Sequence, residues 1–241
     1  ILLSNGGAQG FGVWANNQDG NPDAGLGPFD SYGARPKPAM YDLNGNGMDD
    51  MIVGTMDGKL VPLVATPTYN FASSTDNPFT AWSSAPSGMP APALGDIDCD
   101  GKIDAVVGWQ WATTLSVYIG DGKGTFTEAT TNPFASFNVG SYATPQLHDV
   151  NKDGHLDLVV APKGADLLIY VGDGTGVYSA ATGGDANIFS GVQAGKNWFN
   201  GGIAFAKVND DNYPDLILSK MCTSSSSCPG LDLYLGSSGT G

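Results

Sequence analysis

Positive charge is scarce in this sequence. Only ten lysines and arginines stand against 24 aspartates and glutamates, for a formal net charge of −14 over 241 residues. Phosphate-rich partners need clustered Lys and Arg, so nucleic acid and anionic membrane surfaces are not expected ligands, whereas an acid excess suits cations. Histidine is scarcer still, at His148 and His155, and no stretch has the Cys/His spacing of a zinc site. Long apolar runs are missing. Ala105-Val106-Val107 and Leu158-Val159-Val160 fall far short of the roughly 20 residues a membrane-spanning helix needs, so no direct membrane insertion is expected.

Catalytic signatures are missing as well. There is no nucleophile elbow, no Ser/His/Asp grouping and no phosphate loop; "GDGKG" at 120–124 and "GDGTG" at 172–176 read as hairpin turns. Cysteine occurs three times. Cys222 and Cys228 bracket a polar run at 223–227, a spacing that closes a small loop disulfide in an oxidising compartment. Cys99 is left over and reads as a small buried or loop residue. The chain opens on Ile1 rather than Met, which leaves room for a leader or a longer N-terminal region.

Glycine and proline, at 35 and 15 residues, are plentiful and point to tight turns joining short strands. The stretch "DLNGNGMDD" at 42–50 has oxygen-bearing side chains at alternate positions, like half of an EF-hand loop. It runs into Met51-Ile52-Val53-Gly54, which is not a helix start. Related boxes follow at 96–104 ("DIDCDGKID"), 149–157 ("DVNKDGHLD") and, more weakly, 207–215 ("KVNDDNYPD"), at spacings of 54, 53 and 58 residues. Each is followed by an apolar run.

Other features keep this phase. "LSVYIGDGKGTF" from Leu115, "LLIYVGDGTGVY" from Leu167 and "LDLYLGSSGTG" from Leu231 are alternating strands that enter glycine-rich turns. Upstream lie Gly27-Pro28-Phe29, Asn77-Pro78-Phe79, Asn132-Pro133-Phe134 and Asn187-Ile188-Phe189, then a short proline-containing run. Each unit reads strand, acidic loop, strand, variable loop, strand, glycine turn, strand. The predicted fold is all-β, a β-propeller of four-stranded blades of about 55 residues, because one such sheet cannot cover both its faces and must stack. The expected layout is a single propeller region over 1–241: a partial blade at 1–40, blades at 41–94, 95–147 and 148–205, and an incomplete blade at 206–241. A partial ring is expected.

In each box, positions 1, 3, 5 and 9 offer side-chain oxygens. These are Asp42, Asn44, Asn46 and Asp50; Asp96, Asp98, Asp100 and Asp104; and Asp149, Asn151, Asp153 and Asp157. Calcium takes about six to eight oxygens at roughly 2.3–2.6 Å. Glycine at position 6 allows the positive φ that closes the turn, and Met48, Lys102 and His155 at position 7 need supply only a main-chain carbonyl. About three Ca²⁺ ions are expected, bound tightest at the Asp96 loop and weakest at the Asp42 loop. In the fourth box Lys207 replaces the first Asp, while Asn209, Asp211 and Asp215 remain and Asn212 stands for glycine. That loop is expected to be metal-free, with the Lys207 ammonium in the metal space paired to Asp211 and Asp215.

The pattern D-x-[DN]-x-[DN]-G-x-x-D before an apolar strand, repeated at this period, resembles the FG-GAP/VCBS repeat family. Those repeats build the calcium-loop propeller blades of integrin α-subunit heads, some fungal lectins and many secreted microbial and algal proteins. The resemblance implies a propeller, Ca²⁺ at 42–50, 96–104 and 149–157, and a secreted, extracellular or lumenal setting. It does not fix a function. One reading is a non-catalytic interaction or adhesion-type module with a protein partner or larger assembly. A second is a lectin, with Trp109 and Trp111, or Trp82 and Trp198, stacking on a glycan. A third is an accessory domain of a secreted polysaccharide-active enzyme.

Overall fold

The computed structural model describes residues 2–4, 11–13, 37–66, 70–73, 88–182, 189, 191–192, 202–211, 213–219 and 231–236. Among these the chain is all β, without helix, and no helix is long and apolar enough to cross a membrane. A short antiparallel pair, β1 (Leu2–Ser4) and β2 (Phe11–Val13), comes first. Three four-stranded antiparallel sheets follow. The first holds β3 (Lys37–Tyr41), β4 (Asp50–Gly54), β5 (Leu60–Thr66) and β6 (Asn70–Ser73). The second holds β7 (Pro90–Gly95), β8 (Asp104–Trp109), β9 (Ser116–Gly120) and β10 (Phe126–Glu128), and the third β11 (Thr144–His148), β12 (Asp157–Ala161), β13 (Leu168–Gly172) and β14 (Tyr178–Ala180). A last sheet contains β15 (Ile203–Ala206), β16 (Asp215–Ser219) and β17 (Leu231–Tyr234).

Each sheet begins one strand ahead of its acidic loop, so the loop always joins the first strand to the second. The first strands stand side by side, β3 against β7, β7 against β11 and β11 against β15, which is the arrangement of propeller blades about an axis. Among the described residues the row is open rather than closed.

Second strands such as β8 and β12 are buried along their whole length, because neighbouring sheets cover both faces. Ile52 and Leu60 of the first sheet pack against Ala105, Val107, Trp109 and Tyr118 of the second. Val106, Leu115 and Val117 of the second pack against Leu158, Val160, Tyr170 and Tyr178 of the third. Val159, Leu167 and Ile169 of the third pack against Ile203, Leu216 and Leu218 of the last. One face of each sheet thus meets the opposite face of the next.

Close approach between sheets depends on the fifth residue of the second strand. A Cβ on Gly108 would stand 2.2 Å from the Ala143 carbonyl oxygen and 2.9 Å from Pro145 Cδ. Gly54 meets the Pro90 carbonyl in the same way, at 2.1 Å. The third sheet carries Ala161 at this position, so its junction with the last sheet accommodates a methyl group. Gly108→Ala should destabilise the protein by about 1–3 kcal/mol, since backbone must shift to admit the methyl group. A denaturation midpoint that does not move would refute this.

Candidate metal centre

The boxes predicted from sequence form four equivalent loops, placed by the strands that flank them. At position 1 the aspartate accepts backbone N–H groups from within its own loop. Asp42 Oδ1 accepts from Gly45 at 2.8 Å and its Oδ2 from Gly47 at 2.7 Å; Asp96 Oδ2 accepts from Gly101 at 2.8 Å and Asp149 Oδ2 from Gly154 at 3.0 Å. These bonds hold Asp42 below the usual carboxylate range, the Gly47 N–H having the largest effect. Positions 3 and 5 repeat the device over two residues. Asn44, Asp98 and Asn151 accept from the N–H of position 5, and Asn46, Asp100 and Asp153 accept from that of position 7, which belongs to Met48, Lys102 and His155.

Position 6 has the left-handed backbone that its glycine allows, with φ of 83° at Gly47, 83° at Gly101 and 90° at Gly154. Position 4 is left-handed too, at Gly45 (73°), Cys99 (57°) and Lys152 (66°). The sequence shows that need openly only at Gly45.

Position 9 has a second task that sequence reading missed. Asp50, Asp104 and Asp157 are buried, and each carboxylate reaches two ways. One oxygen accepts the N–H of position 2, Leu43, Ile97 or Val150. The other accepts an N–H from the third strand, Ala65 at 2.8 Å, Gly120 at 2.9 Å or Gly172 at 3.1 Å. This carboxylate therefore ties the loop to the third strand irrespective of any metal. Burial pushes the Asp104 carboxyl up to about 6, and the Asp98 and Asp100 charges add to that shift. Burial also raises Asp50 and Asp157.

The donor set fits a hard cation best in the second loop. Carboxylate oxygens of Asp96, Asp98 and Asp104 all lie within 4.8 Å of one another, and two oxygens on opposite sides of one calcium ion at about 2.4 Å would stand about 4.8 Å apart. Asp100 is turned to the Lys102 ammonium, which holds its carboxyl low. In the third loop Asn151 donates its Nδ2 to Asp153 at 2.9 Å, and in the first loop Asn44 donates to Asp50 at 2.8 Å. An entering cation would have to turn these amides so that oxygen faces inward.

Two expectations are corrected. Lys207 is exposed, and the ion pairs among the described residues are Lys59–Asp57 and Lys102–Asp100, so the ammonium does not pair with Asp211 or Asp215. Asp215 instead accepts backbone N–H groups from Val208, Asn209 and Gly236, and Asn209 donates to Asp211 at 2.8 Å. Lysine has no acceptor for the position-1 turn, which leaves its stem free to point to solvent. Trp109 is the other correction. It is fully buried in the core between the first two sheets, its Nε1 donates to Ser116 Oγ at 3.0 Å, and no sugar can reach it. Trp111, by contrast, is exposed. Asn212, Trp82, Trp198, Cys222 and Cys228 lie outside the described residues.

Radially stacked four-stranded sheets, each with an acidic loop between its first two strands, define a β-propeller of the acidic-loop kind. The FG-GAP-like repeat family model matches residues 42–107 and 106–160. Over those residues the chain consists of FG-GAP-like repeats, in agreement with the resemblance carried by the boxes. No curated protein matches the sequence. Among solved structures, a lectin of Agrocybe aegerita, described for its specific recognition of non-reducing terminal N-acetylglucosamine, is similar with a TM-score of 0.52 and 16% identity. The alignment covers 98% of this chain and 63% of the lectin chain. At that identity the likeness concerns the fold alone.

Proposed function

We propose that this protein is a calcium-stabilised, non-catalytic interaction module of a secreted or lumenal protein, which docks a further blade-like β-sheet on the outer face of its last sheet. One observation carries the docking surface. Leu231, Leu233 and Leu235 are 68%, 49% and 56% exposed. The counterparts of Leu231 and Leu233 by strand register are Leu115 and Val117 in the second sheet and Leu167 and Ile169 in the third, all at most 7% exposed because the following sheet covers them, and those of Leu235 are Ile119 and Val171, which are half-buried. Full burial of a leucine side chain stabilises by about 1.5–3 kcal/mol. Three in a row on one face make a surface that associates. The partner this face fits is a sheet with an aliphatic face of the kind that Leu216 and Leu218 present to the third sheet. The calcium part of the reading rests on the donor sets of the first three loops, and the secreted setting on the FG-GAP resemblance.

The test is sedimentation of the wild-type chain in calcium beside a variant carrying Leu231→Ser, Leu233→Ser and Leu235→Ser. Concentration-dependent association that disappears in the variant, at unchanged thermal stability, is the expected result. Equal association, or a melting temperature that collapses as for a core deletion, would reject the surface.

A lectin-like reading has its own observation. A cleft of about 390 Å³ opens between the second and third sheets, lined by Ile97, Asp98 and Thr131 on one side and by Thr175, Val177 and Tyr178 on the other. Apolar walls with a few polar groups suit a sugar ring, and the lectin of similar fold lends this reading weight. A glycan array probed with the full chain in calcium decides it: no binder removes it, whether as a free lectin or as an accessory domain of a polysaccharide-active enzyme.

A further inference from the structure

The rim opposite the acidic loops carries an exposed tryptophan close to a tyrosine in an unusual backbone conformation. Trp111 follows β8 and Tyr142 precedes β11, so both stand at strand ends remote from the loops. Trp111 is 62% exposed, and its Nε1–H has no partner among the described residues. Its ring lies against Gly88, where a Cβ would come within 3.2 Å of Trp111 Cε3 and 2.6 Å of Gln110 Cβ, so glycine gives the indole its seat. Tyr142 has φ of +56°, a region that bulky side chains rarely enter and that is kept only where the surroundings enforce it. Its N–H donates to the Gln110 carbonyl at 2.9 Å, and the Lys163 ammonium lies over its ring, 5.0 Å from the centroid. We propose that this rim binds a proline-rich, polyproline II segment of a partner protein, with Trp111 as the stacking platform and Tyr142 as a hydrogen-bond donor to a ligand carbonyl.

The Gln110 amide decides what the tyrosine hydroxyl can do. The Met89 N–H donates to Gln110 Oε1 at 3.2 Å, which requires oxygen on that side. Nε2 therefore faces Tyr142 and donates to its hydroxyl at 3.0 Å. Within the protein that hydroxyl is an acceptor, so its own proton is left to donate outward. The exposed indole N–H of Trp111 can only donate.

A ligand that suits this rim brings apolar rings and acceptors but few donors. A polyproline II segment has that composition: its carbonyls make no internal hydrogen bonds, its prolines lack N–H groups, and its rings stack on aromatic side chains. A sugar is less well matched, because every hydroxyl brings a donor for which these side chains offer little in return. The rim is also separate from the leucine face of the last sheet and from the cleft at Ile97 and Tyr178. It adds a second docking site to the interaction module, and its failure would leave the leucine face untouched.

The experiment uses the full chain in calcium and fluorescein-labelled decaproline, with a glycine-serine peptide of equal length as control. Anisotropy titration should show saturable binding of decaproline and none of the control. Trp111→Ala should weaken binding by at least about tenfold, as loss of a central aromatic anchor does. Tyr142→Phe, which keeps the ring and removes the donor, should weaken it by about three- to tenfold. Both variants should melt close to wild type, and the triple Leu→Ser variant at 231, 233 and 235 should bind decaproline as wild type does. Unchanged affinity in Trp111→Ala or Tyr142→Phe, equal binding of the control peptide, or no binding by folded wild-type protein would overturn the proposal. So would a glycan that binds in place of decaproline and is lost in Trp111→Ala, which would make the rim a sugar platform.

Discussion

Replacing Phe134 by Ala should cost about 3–5 kcal/mol of stability, the range for a fully enclosed phenylalanine. Phe134 is 0% exposed and lies in the core between the second and third sheets, among Leu115, Val117, Leu158, Val160 and Tyr178. Its ring centroid is 4.7 Å from that of Tyr178 at a tilted angle. Asn132 puts it there: the side-chain carbonyl accepts the Phe134 N–H at 2.8 Å, and the amide donates to the Leu115 carbonyl at 2.7 Å. Phe137, three residues on, stacks on Tyr170 with centroids 4.1 Å apart. The segment between two blades is thus a wedge that seals their junction, and alanine would leave a cavity that two sheets cannot collapse together. Urea denaturation of Phe134→Ala beside Trp111→Ala provides the measure. The exposed tryptophan should change stability by no more than about 0.5 kcal/mol, and a Phe134→Ala cost as small as that would dismiss the wedge.

The same wedge shows what could be read from the sequence. Its Asn-Pro-Phe recurs in phase with the acidic boxes, and Phe189 of the Asn-Ile-Phe copy is likewise buried, in the core between the third and last sheets. A repeat is legible because each unit faces the same packing problem, so the same residue types return at one period. Glycine at position 6 was legible for a similar reason: the turn it closes is local. What escaped depends on distance in sequence or on length of side chain. The bond from Asp104 to the Gly120 N–H spans 16 residues, and nothing local distinguishes a carboxylate that also reaches the third strand from one that only lines a loop. Trp109 sits beside Gln110 and Trp111 in a run that looks like a loop, yet β8 extends one residue beyond β4 and β12 and carries Trp109 into the core. Lys207 is long enough to turn into its loop or away from it, and residue identity alone could not say which. The bond from Gln110 to Tyr142 needed the fold itself, since it spans 32 residues and joins two repeats.

Withdrawal of calcium should have the largest effect of all. A ligand held at about 100 times its dissociation constant stabilises the folded state by about 2.7 kcal/mol per site, which for a chain of this size moves the melting temperature by about 5–10 °C. Loss of three sites would take away much of the roughly 5–15 kcal/mol that keeps an ordinary domain folded. The three loops should not contribute equally. Ligand positions hold two carboxylates in the Asp42 loop, four in the Asp96 loop and three in the Asp149 loop, so affinity should rise in the order Asp42, Asp149, Asp96. The structure narrows the upper gap, because the Lys102 ammonium already offsets one charge at Asp100 and must be displaced or left beside the ion. Replacing it, as in Lys102→Met, should therefore strengthen calcium binding at that loop and leave the other two as they were. Calorimetric titration of wild type, of this variant and of Asp42→Asn, Asp96→Asn and Asp149→Asn gives the order, and a thermal scan in chelator gives the total. The backbone bonds accepted by Asp42, Asp96 and Asp149 supply the opposing case. If they and the position-9 carboxylates suffice to close each loop, chelation will leave the melting temperature where it was, and the loops are hydrogen-bonded turns that need no ion.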